Sequence, residues 1–123
     1  MVTTNLMKSG LALMIAPAGS RLIPQYCEIG SGSGTALVTC TGLQSGFASR
    51  KYSSTDTSTP NEVEYVYDFT VTTMSGNTLQ ELGARTASGL SAGDLWAKEA
   101  FADHPHTFTG TEELQVSLTF EFI

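Results

Sequence analysis

At 123 residues the chain fits one domain and is long enough to bury a core of about two thirds of its unfolded surface. A net charge of −6, with 12 acidic against 6 basic side chains, argues against phosphate backbones and anionic lipid surfaces as partners, so neither nucleic acid nor membrane is expected. Charged residues are only 15% of the chain, which makes a hydroxyl-rich exterior that is less costly to dehydrate than a charged one and suits packing against other subunits.

Thr3, Thr4 or Asn5 can cap a helix running to about Ala16, where Pro17 and Gly19 stop it. Leu6, Gly10, Leu13 and Met14 share one face, and Gly10 predicts close packing against a neighbour or a bend. Lys8 followed by Leu11 to Ala16 and by Ala18 has the outline of a signal peptide, but the basic residue sits late and the apolar run is short. A buried helix is the expectation.

Leu22 to Ile29 reads as a strand, with Ile23, Gln25, Cys27 and Ile29 opposed to Pro24, Tyr26 and Glu28, and Pro24 near its start or on an edge. Gly30-Ser-Gly-Ser-Gly34 follows. A glycine-rich loop after a strand invites a phosphate-binding reading, but that fingerprint needs a helix next, and Thr35 to Thr41 is β-prone. A turn or flexible loop is expected. The two cysteines, Cys27 and Cys40, are read as small buried apolar residues.

From Gly42 to Asn61 the periodicity disappears into a polar excursion rich in Ser and Thr, an arm either disordered or functional. It carries Arg50 and Lys51, two of the six basic residues, with Phe47 and Tyr52 as anchors. These four are the candidate interface residues.

Glu62 to Thr73 alternates cleanly: Val63, Tyr65, Tyr67, Phe69 and Val71 on one face, Glu62, Glu64, Asp68, Thr70 and Thr72 on the other. Ser75-Gly76-Asn77 predicts a tight hairpin turn. Thr78 to Arg85 is expected to be extended, with Gly83 marking a bulge or a close backbone approach. Ala87 to Gly93 is a loop of small residues. Asp94 to Phe101 reads as a strand, with Leu95, Ala97, Glu99 and Phe101 on one side, although its residues also favour helix. Asp103 to Gly110 is a loop, and Leu114, Val116, Leu118, Phe120 and Phe122 alternate with polar residues in a terminal strand. Together these elements predict a mainly β fold, an antiparallel sandwich with one short N-terminal helix.

The opening Thr4-Asn5-x-x-x-x-Gly10 and the strand ending in Gly30-Ser-Gly-Ser-Gly34 resemble the start of small structural proteins of tailed bacteriophages, including tail-collar and tail-fibre proteins. Gly76-Asn-Thr-Leu-Gln-Glu-Leu-Gly83, then Gly93-Asp-Leu-Trp-Ala-Lys-Glu-Ala-Phe101 and the alternating C-terminal strand, are similar to their second half. Glu81-Leu82-Gly83 fits the middle element, and Lys98-Glu99 stands where Arg-Ala or Arg-Glu is more usual. The Ser/Thr-rich arm has no counterpart. The resemblance implies a non-enzymatic, homo-oligomeric virion protein, for example a trimer, made in the host cytoplasm and placed on the head as a minor capsid or decoration protein or on the tail as a fibre or baseplate component. Its partners would be other copies of itself and neighbouring virion proteins.

Four further constellations bear on function. The imidazoles of His104 and His106 point the same way on an extended chain, and three copies around a threefold axis could hold one ion, a device of phage fibres as a family. Two histidines per chain are otherwise too few, so neither metal nor cofactor is expected. Glu62, Glu64 and Asp68 could form a glycosidase pair, but alternation already turns them outward; a Ser/His/Asp hydrolase lacks a nucleophile elbow. Trp96, Tyr26, Tyr52, Tyr65 and Tyr67 could make a sugar platform, which keeps a host-receptor or carbohydrate-binding module as the alternative function.

Overall fold

The computed structural model describes residues 1–15, 23–101 and 103–121. The expected helix stop at Ala16 to Gly19, the strand start at Leu22 and the end of the terminal alternation at Phe122 lie outside them. The fold is mainly β with antiparallel sheets, as the alternation predicts, and it has two helices where one was expected.

Strand β1 (Val2–Thr3) leads into α1 (Asn5–Ile15). Thr4 caps the helix, its hydroxyl accepting from the Met7 amide at 3.3 Å, and the same hydroxyl donates to the Leu95 carbonyl. The helix is tied to the sheet at its first turn. Gly10 meets the expectation of close packing: a Cβ there would stand 2.7 Å from Cζ2 of Trp96.

The remaining strands are β2 (Tyr26–Gly30), β3 (Gly46–Lys51), β4 (Ser54–Asp56), β5 (Glu62–Phe69), β6 (Thr78–Leu79), β7 (Glu81–Arg85), β8 (Leu95–Ala100), β9 (His106–Thr107) and β10 (Leu114–Glu121), with a one-turn helix α2 (Val71–Met74) after β5. They form a five-stranded sheet β1-β8-β7-β2-β3, a three-stranded sheet β10-β5-β4 and a small ribbon β6-β9. The core fills the space between the two larger sheets. Cys27, Ile29, Ala84 and Ala97 meet Tyr65, Tyr67, Phe69, Val116, Leu118 and Phe120 there.

Two amphipathic strands supply one wall of that core. β5 and β10 pair over their whole length, Leu114 with Phe69 through Glu121 with Glu62, so the apolar residues of both face the same way. Tyr67 is fully buried and its hydroxyl donates to the Pro24 carbonyl at 2.7 Å, satisfying the one polar atom the ring carries inside.

Several expectations are corrected. The Gly42 to Asn61 arm is not one patternless excursion, because Gly46–Lys51 and Ser54–Asp56 are edge strands of the two sheets and the segment crosses between them. A period-two pattern is invisible there because Gly46 to Ser49 are all half-buried and Ser54–Asp56 are all exposed, so neither edge strand sets a buried face against a wet one. β5 stops at Phe69: Thr70 caps α2 by accepting from the Thr73 amide, which removes Val71 from the strand. Ser75-Gly76-Asn77 does not close a hairpin, since β5 pairs with β10 and β4 while the turn is held by Phe108, which accepts from Gly76 and donates to Asn77. Gly76 has φ +77°, the left-handed geometry that the turn demands. Thr35 to Thr41, β-prone in composition, is irregular with a turn at Val38 and Thr39 and forms no strand. The expected loop from Asp103 to Gly110 includes the short strand β9.

Candidate functional site

The outer face of the five-stranded sheet would ordinarily be wet. Here it holds four buried charges. Glu28 pairs with Gly83 across β2 and β7, and Gly83 with Lys98 across β7 and β8. Register partners share a face, and alternation along β7 adds Glu81 and Arg85 to it. All four residues are at most 3% exposed.

They form two acid–base pairs, each fastening a loop. Arg85 Nε donates to Glu28 Oε1 at 2.6 Å, and the guanidinium nitrogens lie 3.3 to 3.4 Å from the carbonyls of Thr41, Ala92 and Gly93. Glu28 Oε2 accepts from the Ser91 amide at 3.1 Å, holding Ser91 in the left-handed region at φ 58°. Glu81 is wrapped more completely. Its Oε2 accepts from Gly32 at 2.7 Å and Ser45 at 2.8 Å, its Oε1 from Gln44 at 2.8 Å, and the Lys98 ammonium stands 3.6 Å from Oε1. A buried carboxylate is tolerable only when charge and lone pairs are met together.

The glycine-rich loop therefore cradles an anion, and the anion belongs to the chain itself. A Cβ at Gly32 would overlap Oε2 of Glu81, and one at Gly30 would stand 2.8 Å from it. The loops held by the two pairs form a lid over this face of the sheet, and Gly83 lies beneath it. A Cβ there would lie 2.6 Å from Leu95 Cδ1 and 3.3 Å from Leu43 Cδ2, so its absence leaves room for both leucines against the strand. The predicted close approach at Gly83 is present, and the bulge falls one step on, between Ala84 and Arg85. Beside this lid an open cleft of about 450 Å³ is lined by Ser33, Gly34, Thr35, Lys98, Glu99 and Asp103, among others.

The structure scatters the residues that the sequence marked. Phe47 and Tyr52 pack against the core, Tyr52 edge-on to Tyr65 with ring centres 5.6 Å apart. Arg50 and Lys51 are exposed at the end of β3, and Lys51 Nζ lies 5.5 Å from the Tyr52 ring centre. His104 and His106 are both exposed but face separate acids: His104 lies 3.1 Å from Asp103, and His106 lies 3.0 Å from Glu112. No cluster of three or more potential metal ligands occurs among the described residues. Of the five aromatic residues considered for a sugar platform, Trp96, Tyr65 and Tyr67 are buried. Asp68 accepts from Ser53 at 2.6 Å and Gln115 at 3.0 Å, and these bonds hold its carboxyl below the usual range. Cys27 is buried as expected, and burial, aided by the adjacent Glu28 carboxylate, pushes its thiol up to about 12. Cys40 departs from the expectation: it is only half-buried, in the loop, its Sγ 3.3 Å from the Leu37 amide.

Sequence reading missed the four buried charges as a group. The available signal was sign and phase: Glu81, Arg85 and Lys98 fall in apolar strands at positions that the pairing brings to one face. The chain matches no protein-family model, no curated protein and no solved structure.

Proposed function

We propose that the protein is a non-enzymatic structural component of a bacteriophage particle, a surface-exposed homo-oligomer of the head or the tail. The observation that carries this reading is how the buried charge is used. Both carboxylates capture backbone amides from loops, and both cations neutralise those carboxylates, so the four groups act as fasteners of a lid. Loops fastened in this way suit the wall of a shell or tail, where they meet neighbouring subunits. The phage resemblance of the Gly30 to Gly34 loop and of Glu81 to Gly83 then falls on both halves of one fastener, the loop and the carboxylate it wraps.

Arg50 and Lys51, exposed on an otherwise acidic chain, are the contacts proposed for an acidic neighbouring virion protein. The test is cryo-electron microscopy of the source particle together with the native mass of the purified protein. Density for this fold at capsid threefold sites assigns it to the head, and density at the tail tip assigns it to the tail. A particle without it, together with a strictly monomeric protein, refutes the reading.

A further inference from the structure

Sheet edges left open invite pairing, and most edges here are protected. β1 has two residues and β4 has three. β3 ends in Arg50 and Lys51, and its pairing with β2 is broken by a register shift beside Gly30. β10 differs. It is eight residues long, pairs with β5 in unbroken register, and contains no Lys, Arg or Pro. Among the described residues nothing pairs with its other side.

Which backbone groups are free follows from β5. Ser53 on the β4 side donates to the Val66 carbonyl, so even-numbered residues of β5 turn their backbone toward β4 and odd-numbered ones toward β10. The partners of those odd residues are Leu114, Val116, Leu118 and Phe120. Gln115, Ser117, Thr119 and Glu121 are left with N–H and C=O groups directed outward, and all four side chains are exposed.

We propose that this edge pairs antiparallel with β10 of a second copy about a twofold axis at Leu118, joining two three-stranded sheets into one of six. The registers that keep apolar residues on the core side are those that pair odd with odd. Centring on Ser117 sets Glu113 against Glu121 of the other copy, twice, a like-charge opposition. Centring on Leu118 sets Gln115 against Glu121 and Ser117 against Thr119, with about eight inter-chain hydrogen bonds and no opposed charges. Uncharged hydroxyls at the middle of the strand leave the second copy as the matching occupant, since each strand supplies the complement of the other.

The inference rests on the self-association proposed above and specifies its surface. The experiment is sedimentation of the whole chain across a concentration series. Ser117→Lys with Thr119→Lys places lysines opposite lysines and is expected to weaken the dimer at least about tenfold, while both lysines remain near Glu64 within the monomer. Ser117→Glu with Thr119→Glu is expected to be monomeric as well, and mixing the two variants restores a dimer. Gln115→Lys, facing Glu121, tightens the dimer about fivefold in the Leu118 register only. A wild-type chain that is monomeric throughout overturns self-association itself. An oligomer unmoved by both paired variants, each shown to be folded by its melting curve, overturns this edge and leaves self-association standing elsewhere.

Discussion

Replacing Glu81 with Ala strips the lid of its central acceptor, and the cost can be worked from its partners. Three buried or half-buried amides, of Gly32, Gln44 and Ser45, lose their acceptor, and the Lys98 ammonium loses its counter-charge. Hydrogen bonds to a charged group contribute about 1.5 to 3 kcal/mol each, and removing one partner of a buried ion pair costs about 3 to 5 kcal/mol. These terms overlap, and residues 31–45 can swing open to hydrate the orphaned amides, which caps the loss. The expected cost is about 4 kcal/mol, a large share of the roughly 5 to 15 kcal/mol of an ordinary domain. Glu81→Gln keeps one oxygen for Gly32 and Ser45 but turns an amino group on the Gln44 amide, and about 2 kcal/mol is expected. Urea unfolding gives the totals, and hydrogen exchange shows where they act: the amides of Gly32, Gln44 and Ser45 should lose protection well before those of β5. A loss under about 1 kcal/mol for Glu81→Ala, with those three amides still protected, refutes the fastener argument.

Gly10→Ala should destabilise by about 1 to 2 kcal/mol despite alanine's better helix propensity, because its methyl meets the Trp96 ring at 2.7 Å; a shift in tryptophan emission should accompany it, and a more stable variant would refute the packing. A thiol reagent at neutral pH should modify Cys40 and spare Cys27, whose buried thiol stays protonated with its pKa near 12; equal rates would contradict this. Asp68, Asp56 and Glu112 have folded-state pKa values held below the ordinary carboxylate range by the hydrogen bonds they accept, from Ser53 and Gln115, from Ser58, and from Thr109 and His106. Their contribution is therefore present above the unfolded pKa and is lost as pH falls through the folded one. Melting temperature should decline on acidification below about pH 4, and Asp68→Asn should flatten that decline; an unchanged acid limb would show that the bonds to Ser53 and Gln115 carry nothing.

The parts of the fold legible in the sequence are those where one face is buried and the other is wet. β5 and β10 meet that condition, and Tyr65, Tyr67, Phe69, Val116, Leu118 and Phe120 all face the core as their alternation predicts. β3 and β4 do not: the consecutive residues Gly46 to Ser49 of β3 are all half-buried and β4 is exposed throughout, so neither displays a period-two burial contrast. Val71 misled for a different reason. Its phase continues β5, but the Thr70 hydroxyl offers the backbone a cap, and that local bond turns the chain into α2. The lid was illegible because its pairs are distant in sequence, 57 residues from Glu28 to Arg85 and 49 from Gly32 to Glu81, and only the strand register unites them.

That register also explains why the lid uses charge where an apolar layer would be simpler. The segments lying over β2, β7 and β8 are loops, and loop amides need acceptors that a hydrocarbon cannot supply. A carboxylate with two oxygens meets several amides from one side chain, as Glu81 does for Gly32, Gln44 and Ser45. Its charge then demands a cation, which Lys98 provides from the adjoining strand. A well-packed apolar replacement of the Glu81–Lys98 pair would remove the desolvation cost but orphan the three amides, so the gain that such swaps give in ordinary cores should not appear here. Glu81→Leu with Lys98→Met is the decisive variant. If it proves more stable than the wild type, the carboxylate is not what holds the glycine-rich loop, and the account of the lid given by its hydrogen bonds is wrong.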